Sequence, residues 1–428
     1  MAFLEREHFT VPLAESDGKL DDAIRGEVRR QEEQIELIAS ENFVSAATLN
    51  AIGTILTNKT LEGYPGSRYY GGASFADRVE RLAIDRAQRL FHCRYANVQP
   101  HSGSHANQAV YLALINFGDR ILSMSVEAGG HISHGHPATL TGRLYEIFSY
   151  DVRQEDERID YEDVADRARK YRPKLIVAGG TAYPRIIDWV RLRAIADEVQ
   201  AWLMVDMAHF AGLVATQHYP SPLEHAHVVT TTTYKSLRGA RGGMILSNAP
   251  ELAKKLDSAV FPGIQGSIHL HSIAGKAACL GEALQPQFTT YSQNVLDNAQ
   301  RLAQSLEQQS LRLVSGGTDT GLLLVDVRPK GISGQEASQR LEKAGIVCNK
   351  NLIPHDPTDA ETSSGIRLST NAGTTRGFSP EEFWQIGQWI GQILDVSAHE
   401  SSDSITSRRV SEQVRELCRR FPLYRSTD

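Results

Sequence analysis

The sequence predicts an α/β protein with a large, mostly parallel, doubly wound sheet and a smaller C-terminal α+β domain. Apolar, β-branched runs alternate with segments of helical periodicity through the first two thirds of the chain, which is typical of a parallel sheet covered by helices on both faces. After about residue 285 this alternation stops. The predicted strands lie near 120–125, 174–179, 202–206, 228–233 and 243–247, and the intervening helices near 104–116, 161–171 and 190–200.

The rest of the chain divides around this alternating region. We expect an N-terminal helical arm (1–45), a large α/β domain (46–285) and a small α+β domain (286–428). A Gly-, Pro- and Tyr-rich loop at 58–72 is more aromatic than a linker and is typical of a site lining. Helices are predicted at 19–37, 44–56, 75–91, 291–309, 334–343, from Pro380 and at 408–421; short strands are predicted within 311–317, 321–328, 345–351 and 364–370.

Composition excludes several classes of protein. The chain has 428 residues, 41% hydrophobic and 22% charged, with a net charge of −6, so nucleic acid and anionic membranes are not expected partners. The four cysteines form no CxxC pair, which indicates neither a metal site nor a disulfide framework. The N-terminus lacks an apolar signal core and no stretch is long enough to span a membrane, so we expect a cytoplasmic protein.

An acid and an amine end two neighbouring predicted strands. Asp206 ends the run AWLMVDMAH (201–209), and Lys235 follows the run VVTTTTY (228–234). Ligands of open α/β sheets bind beyond the carboxyl ends of the strands. A lysine that forms a Schiff base and an aspartate at a pyridinium nitrogen are what pyridoxal phosphate (PLP) requires. An isolated pair of this type is more often a salt bridge.

A small-residue turn supplies a third feature of such a site. Ser102, Gly103 and Ser104 precede the helical pattern AVYLALI within HSGSHAN. The first backbone N–H groups of a helix have no partner within the helix and are suited to bind an anion. The turn is a weak signal alone, but together with the lysine and the aspartate it favours a phosphate-bearing cofactor.

Several long motifs resemble one family in order and spacing. They are LIASEN, EGYPGSRYYGG, ANVQPHSGS, GGHISHG, VDMAH, TTTTYKSLRGARGG, FPGIQG, NKN and SGIR. The chain thereby resembles serine hydroxymethyltransferases, which are fold-type I PLP enzymes. The resemblance implies that Lys235 forms the Schiff base, Asp206 pairs with the ring nitrogen and His131 stacks on the ring. It also implies that the remaining cofactor contacts are Ser102, Gly103, Ser104, Thr181, His209 and, from a partner subunit, Gly266.

The same resemblance implies how substrates bind. Arg367 matches the arginine that binds the amino-acid carboxylate, and Ser40 matches a second carboxylate contact. Glu62 matches the acid that exchanges the hydroxyl proton and meets tetrahydrofolate. Tyr69 and Tyr70 match the paired tyrosines of the aldol site, where Tyr70 is expected to be catalytic with Lys235, Glu62 and His131. Asn351 matches a folate contact, and the family's shared sites imply a homodimer or a tetramer.

Departures from the family pattern cluster at this site. Thr60 stands where the family has a tyrosine near the substrate carbon, and this smaller residue opens space for an α-methyl group; a compensated neutral change remains the alternative. Thr181 replaces a serine, Tyr234 and Ala128 replace histidines and Ser267 replaces a glycine. The loop at 355–363 lacks the family's aromatic and aliphatic residues.

The sequence therefore predicts a PLP-dependent hydroxymethyltransferase that converts α-methylserine to D-alanine and transfers formaldehyde to tetrahydrofolate. Ordinary serine/glycine hydroxymethyltransferase activity is the nearest alternative. The altered loop favours a third reading, a folate-independent α-methylserine aldolase or a threonine-type transaldolase. A hypothesis from a different functional class is a PLP-binding regulatory or structural protein that catalyses no reaction.

Overall fold

The computed structural model describes residues 9–395 and 405–424. The first eight residues of the predicted N-terminal arm lie outside this range. The described residues form four sheets, and the two largest have seven and four strands. The strands are β1 (Ile35–Glu36), β2 (Gly63–Tyr64), β3 (Ser67–Arg68), β4 (Tyr95–Asn97), β5 (Arg120–Met124), β6 (Glu146–Tyr150), β7 (Leu175–Ala178), β8 (Trp202–Asp206), β9 (Val228–Thr232), β10 (Gly243–Ser247), β11 (Arg312–Leu313), β12 (Leu322–Asp326), β13 (Ile346–Val347), β14 (Asn349–Asn351) and β15 (Gly365–Ser369).

The seven-stranded sheet has the order β4-β10-β9-β8-β7-β5-β6. The five strands from β9 to β6 are parallel, whereas β10 is antiparallel to both of its neighbours. Both faces of the sheet are covered: Leu122 and Met124 of β5 belong to one hydrophobic core, and Ile121 belongs to the core on the opposite face. Burial on both faces explains why these strands are nearly continuous apolar runs. The doubly wound sheet predicted from the sequence is thus present.

The helices cover these sheets and connect their strands. Within the described residues they are α1 (Leu13–Ser16), α2 (Gly18–Glu33), α3 (Ala46–Ile52), α4 (Ser74–Phe91), α5 (Gly103–Leu114), α6 (Leu140–Leu144), α7 (Tyr161–Tyr171), α8 (Trp189–Val199), α9 (Ala211–Ala215), α10 (Ala253–Ser258), α11 (Leu270–Ala283), α12 (Pro286–Gln308), α13 (Gly334–Lys343), α14 (Asn371–Arg376), α15 (Pro380–Leu394) and α16 (Ile405–Arg420). None of them has the length and apolarity needed to cross a membrane.

The smaller sheet has the order β11-β12-β15-β14, and all its pairs are antiparallel. Helices α12, α13, α15 and α16 pack with it around a second core. Helix α12 spans both cores, because Tyr291 and Val295 pack against the large sheet and Leu302 and Leu306 against the small one. The boundaries at 45 and 285 stay a prediction.

One predicted helix needs correction, and two strands of the large sheet were not predicted. The helix predicted over 19–37 ends at Glu33, because Ile35 and Glu36 form the strand β1, which pairs in parallel with β13. Strands β4 and β6 were not predicted, although β6 forms an edge of the large sheet. Strands β1 and β4 form because they pair with the distant strands β13 and β10, and local sequence pattern carries little of that information.

Candidate active site

Parallel strands deliver the acid and the amine to one cavity. Asp206 is the last residue of β8, and Lys235 lies three residues beyond the end of β9, so both lie at the carboxyl edge of the sheet. The cavity is lined by thirteen residues: Ser102, Gly103, Ser104, His131, His134, Gly180, Thr181, Asp206, Ala208, His209, Thr232, Tyr234 and Lys235. Eight residues predicted from the sequence are among them.

The Asp206 carboxylate is buried in a set of hydrogen-bond donors. Its Oδ2 accepts from Asn107 Nδ2 at 2.9 Å and lies 3.1 Å from His134 Nε2, while its Oδ1 accepts from the Ala208 N–H at 3.1 Å. Burial alone would raise the pKa of Asp206, but the hydrogen bond and charge of His134 and the charge of Lys235 outweigh it and hold the pKa below its usual range. The carboxylate is therefore ionised and fixed in direction.

Lys235 is buried beside a neutral histidine. Its Nζ lies 3.1 Å from His209 Nε2. Burial lowers the pKa of Lys235 to about 8; the Asp206 carboxylate opposes this shift, and the charge of Arg367 adds to it. Burial also lowers the pKa of His209 well below its ordinary value, with the charges of Lys235 and Arg367 acting in the same direction. A lysine amine with a lowered pKa is a better nucleophile near neutral pH.

The turn before α5 has the form of an anion cradle. Ser102 caps the helix, and its Oγ accepts from the His105 N–H at 3.1 Å. A Cβ on Gly103 would lie 2.7 Å from Thr232 Cγ2, so this position leaves no room for a side chain. The buried Thr232 Oγ1 lines the same cavity and has no hydrogen-bond partner among the described residues. The amine, the buried carboxylate, the helix N-terminus and this unpartnered hydroxyl fit the chemical groups of PLP.

His131 and Arg367 complete this side of the site. The His131 Nδ1 lies 2.7 Å from Ser133 Oγ, and burial lowers the pKa of His131 to about 4, so its ring is neutral. Arg367 Nη1 donates to Thr181 Oγ1 at 2.8 Å and to the Thr181 carbonyl at 2.9 Å, and Nε donates to Asn349 Oδ1 at 3.1 Å. Thr181 Oγ1 lies 2.9 Å from His209 Nε2, which joins Arg367 to the group around Lys235.

Other predicted residues lie outside the cavity lining. Ser40 lies in the turn after β1, two residues before Asn42, whose Nδ2 donates to the Lys235 carbonyl at 2.9 Å. Asn351 ends β14, and its Nδ2 donates to the Leu352 carbonyl.

A second group surrounds the loop at 58–72. Glu62 Oε1 would lie 3.8 Å from a Cβ on Gly266, and the Tyr69 ring lies 5.6 Å from the Phe261 ring. Tyr69 is 73% exposed and Tyr70 is 47% exposed. Thr60 is also exposed. The cavity around Lys235 is lined by none of these residues, Thr60, Glu62, Tyr69, Tyr70 or Gly266.

Three polar side chains that line or support the cavity were not predicted from the sequence. His134 and Asn107 both contact Asp206, and Thr232 faces Gly103. Signals for them were present: His134 lies in GGHISHG, and Asn107 lies one helical turn after Gly103, on the same face of α5.

Comparison with known proteins decides the family. A family model described as serine hydroxymethyltransferase matches residues 13–390. The chain belongs to the serine hydroxymethyltransferase family. It is 58% identical over 417 residues to a serine hydroxymethyltransferase of Rhodospirillum centenum, with 97% of each chain covered. It is 56% identical to that of Paramagnetospirillum magneticum, covering 97% of this chain and 98% of the relative. It is 54% identical to serine hydroxymethyltransferase 2 of Rhodospirillum rubrum, with 97% of each covered. The resemblance inferred from the motifs and the fold-type I class are thereby confirmed.

Proposed function

We propose that the protein is a PLP-dependent hydroxymethyltransferase that transfers a one-carbon unit between a serine-type amino acid and tetrahydrofolate. The observation that carries this proposal is the meeting of Lys235, Asp206 and the N-terminus of α5 at one cavity. Membership of the serine hydroxymethyltransferase family supports the same activity. A cytoplasmic location is part of the proposal.

Each group of the cavity has a separate task. Lys235 would hold the aldehyde carbon of PLP, Asp206 its ring nitrogen, and the turn Ser102–Ser104 its phosphate. When bound, PLP supplies an electron sink for the electron pair released at the substrate's Cα. Asp206 supports this by staying ionised, because three donors fix its two oxygens. His131, a half-buried neutral ring, is suited to lie against the cofactor ring.

Arg367 is the group that we propose for the substrate carboxylate. Nε and Nη1 are held by Asn349 and Thr181, so the guanidinium plane is fixed before a substrate enters. Within the described residues Nη2 has no hydrogen-bond partner, so its N–H groups are available to donate to a substrate carboxylate. Ser40 is proposed as a second carboxylate contact.

A second copy of the chain would complete the site. Glu62, Tyr69 and Tyr70 are proposed for proton exchange and the aldol step, and Gly266 for the phosphate, but within one chain they lie apart from the cavity lining. The exposure of Tyr69 and Tyr70 supports their use at a subunit boundary. We therefore propose a homodimer, or a tetramer built from such dimers, in which the subunits share active sites.

Mixing two inactive variants tests the shared site. Lys235→Ala and Glu62→Gln are each expected to be inactive alone. In a mixed dimer, one of the two sites would contain both the native lysine and the native glutamate. Unfolding and refolding the two variants together should therefore restore about a quarter of the native activity, because half of the dimers are mixed and each has one intact site out of two. No recovery from a mixture that refolds to dimers would contradict shared sites.

Within this reaction, α-methylserine is the substrate that we propose, with serine as the alternative. Thr60 carries this choice, because a small residue in place of an aromatic one leaves space beside the substrate carbon. The matched relatives are named for serine, which favours the alternative. The altered loop at 355–363 favours a folate-independent aldolase. Asn351, which matches a folate contact of the family, favours the use of folate.

A paired assay tests both levels of the proposal. The PLP-loaded protein is given L-serine or α-methyl-L-serine, each with and without tetrahydrofolate, and formaldehyde, methylene adduct and amino-acid product are measured. We expect folate-dependent turnover, faster for α-methylserine, and a Thr60→Tyr variant that shifts the preference toward serine. If the native protein prefers serine, α-methylserine is not its main substrate. If it turns over no 3-hydroxy amino acid, the proposed hydroxymethyltransferase activity is wrong.

A further inference from the structure

A buried lysine other than Lys235 lies behind the cavity. Lys276 is in the middle of α11, within the otherwise apolar run AGKAACL, and is 1% exposed. Its Nζ donates to three backbone carbonyls: Val98 at 2.7 Å, Pro100 at 3.0 Å and Gly243 at 2.9 Å. An ammonium has three hydrogens to donate, so these carbonyls use its full capacity.

The backbone is shaped to receive this ammonium. A Cβ on Gly242 would lie 2.2 Å from Lys276 Cε and 2.5 Å from its Nζ. A Cβ on Gly243 would lie 2.3 Å from the Ser102 carbonyl oxygen. Any side chain at Gly242 would displace the amine, and any side chain at Gly243 would displace the turn before α5.

The three carbonyls belong to the two segments that build the cavity. Val98 and Pro100 lie between β4 and Ser102, the cap of the anion cradle. Gly243 begins β10, and its N–H donates to the Pro100 carbonyl at 2.9 Å. The preceding residue, Gly242, accepts from the N–H of Thr233, two residues before Lys235, at 3.2 Å. The Lys276 amine therefore joins the segment before Ser102 to the start of β10, which in turn is hydrogen-bonded to the segment that leads to Lys235.

The protonation state of Lys276 affects this junction. Burial lowers the pKa of Lys276 to about 7, and the neighbouring Cys279 and Glu80 oppose the shift. A neutral amine has two hydrogens and would leave one of the three buried carbonyls without a donor. Because an unpaired buried carbonyl is costly, the carbonyl set favours the protonated form.

We propose that Lys276 is a positioning residue for the phosphate of PLP. Its ammonium fixes the Ser102–Ser104 turn at the distance from Lys235 that lets one cofactor molecule reach both. This inference rests on the proposed function, because it assumes that PLP occupies the cavity. Lys276 itself does not line the cavity.

The test compares PLP with pyridoxal, which has the aldehyde and ring but no phosphate. The dissociation constants of PLP and of pyridoxal are measured with native protein and with Lys276→Met. Binding at Lys235 is followed by visible absorbance. Methionine keeps most of the apolar volume and removes the three donors. Because hydrogen bonds from a charged group are strong, we expect PLP binding to weaken about tenfold to a hundredfold. Pyridoxal binding should change little, so the ratio of the two affinities should fall.

Leu280→Ala is the matched control. Leu280 is fully buried one turn further along α11, so this variant loses stability without touching the carbonyl set. Its PLP-to-pyridoxal ratio should equal the native ratio, although its melting temperature falls. If Lys276→Met does not fold, Gly242→Ala is measured instead, because its Cβ would push the amine from its carbonyls; it should lower the same ratio.

The outcomes separate this inference from the proposed function. An unchanged ratio in the folded variant, or equal weakening of PLP and pyridoxal, would overturn the role of Lys276. Native protein that binds neither compound at Lys235 would overturn the proposed function itself.

Discussion

Replacing Arg367 by lysine tests how the substrate is recognised. Arg367 lies on β15 and is only 9% exposed. Three hydrogen bonds to Thr181 and Asn349 hold its guanidinium. Lysine keeps the positive charge but has a single nitrogen, which cannot contact both Thr181 and Asn349 and also donate to a substrate carboxylate.

The size of the effect follows from the bonds lost. A hydrogen bond to a charged group contributes about 1.5–3 kcal/mol. If Arg367→Lys loses one hydrogen bond to the substrate carboxylate, binding should weaken about tenfold to 150-fold. PLP binding should remain close to native, because Arg367 is not among the residues that line the cavity.

The assay titrates holoprotein with L-serine and with its methyl ester, following the change in cofactor absorbance. The ester lacks the carboxylate charge, so native protein should prefer the acid strongly. Arg367→Lys should lose most of this preference while its affinity for the ester changes little. A variant that keeps the native preference for the acid would refute the role of Arg367, and equal weakening of acid and ester would indicate a general distortion of the site.

Three further predictions concern the cofactor. Asp206→Asn should keep PLP bound but lower kcat about 10²-fold to 10³-fold, as expected for removal of a fixed electrostatic group; a kcat within about threefold of native would contradict its proposed role. Gly103→Ala should weaken PLP binding, because the new Cβ would lie 2.7 Å from Thr232 Cγ2, and unchanged binding by equilibrium dialysis would argue against the cradle. Burial lowers the pKa of Lys235 to about 8, and only the neutral amine attacks an aldehyde. The rate at which apoprotein captures PLP should therefore rise with pH and level off above about 8. In Asp206→Asn the midpoint of this pH dependence should move to lower pH, because the Asp206 carboxylate opposes the lowering of the Lys235 pKa. The rates are measured by stopped-flow absorbance. A native midpoint near the pKa of an ordinary lysine would contradict the effect of burial.

The large sheet could be predicted from the sequence because its strands are buried on both faces. Continuous apolar runs such as β8 and β9 are unambiguous when helical patterns lie between them. The sequence signal fails where pairing is remote: Ile35 and Glu36 continue a charged helical pattern, yet they pair with Ile346 and Val347. Only the assembled small domain supplies that partner.

The site was predictable in part for a related reason. Lys235 and Asp206 follow recognisable strands, and motif resemblance identified the family that the comparisons confirmed. The support of the site depends on contacts between distant segments. Asn107 and Asp206 are 99 residues apart, and Lys276 reaches Val98 across 178 residues. A lone lysine in the apolar stretch of α11 was the one local sign that this position has a special partner.

The proposed function depends on Lys235 as the residue that binds PLP. The most direct measurement incubates the purified protein with PLP, reduces it with borohydride and locates the pyridoxyl group by peptide mass spectrometry. We expect one modified residue, Lys235, at a stoichiometry near one per chain, and no stable modification in Lys235→Ala. A label spread over exposed lysines, or unchanged labelling of Lys235→Ala, would contradict this role of Lys235.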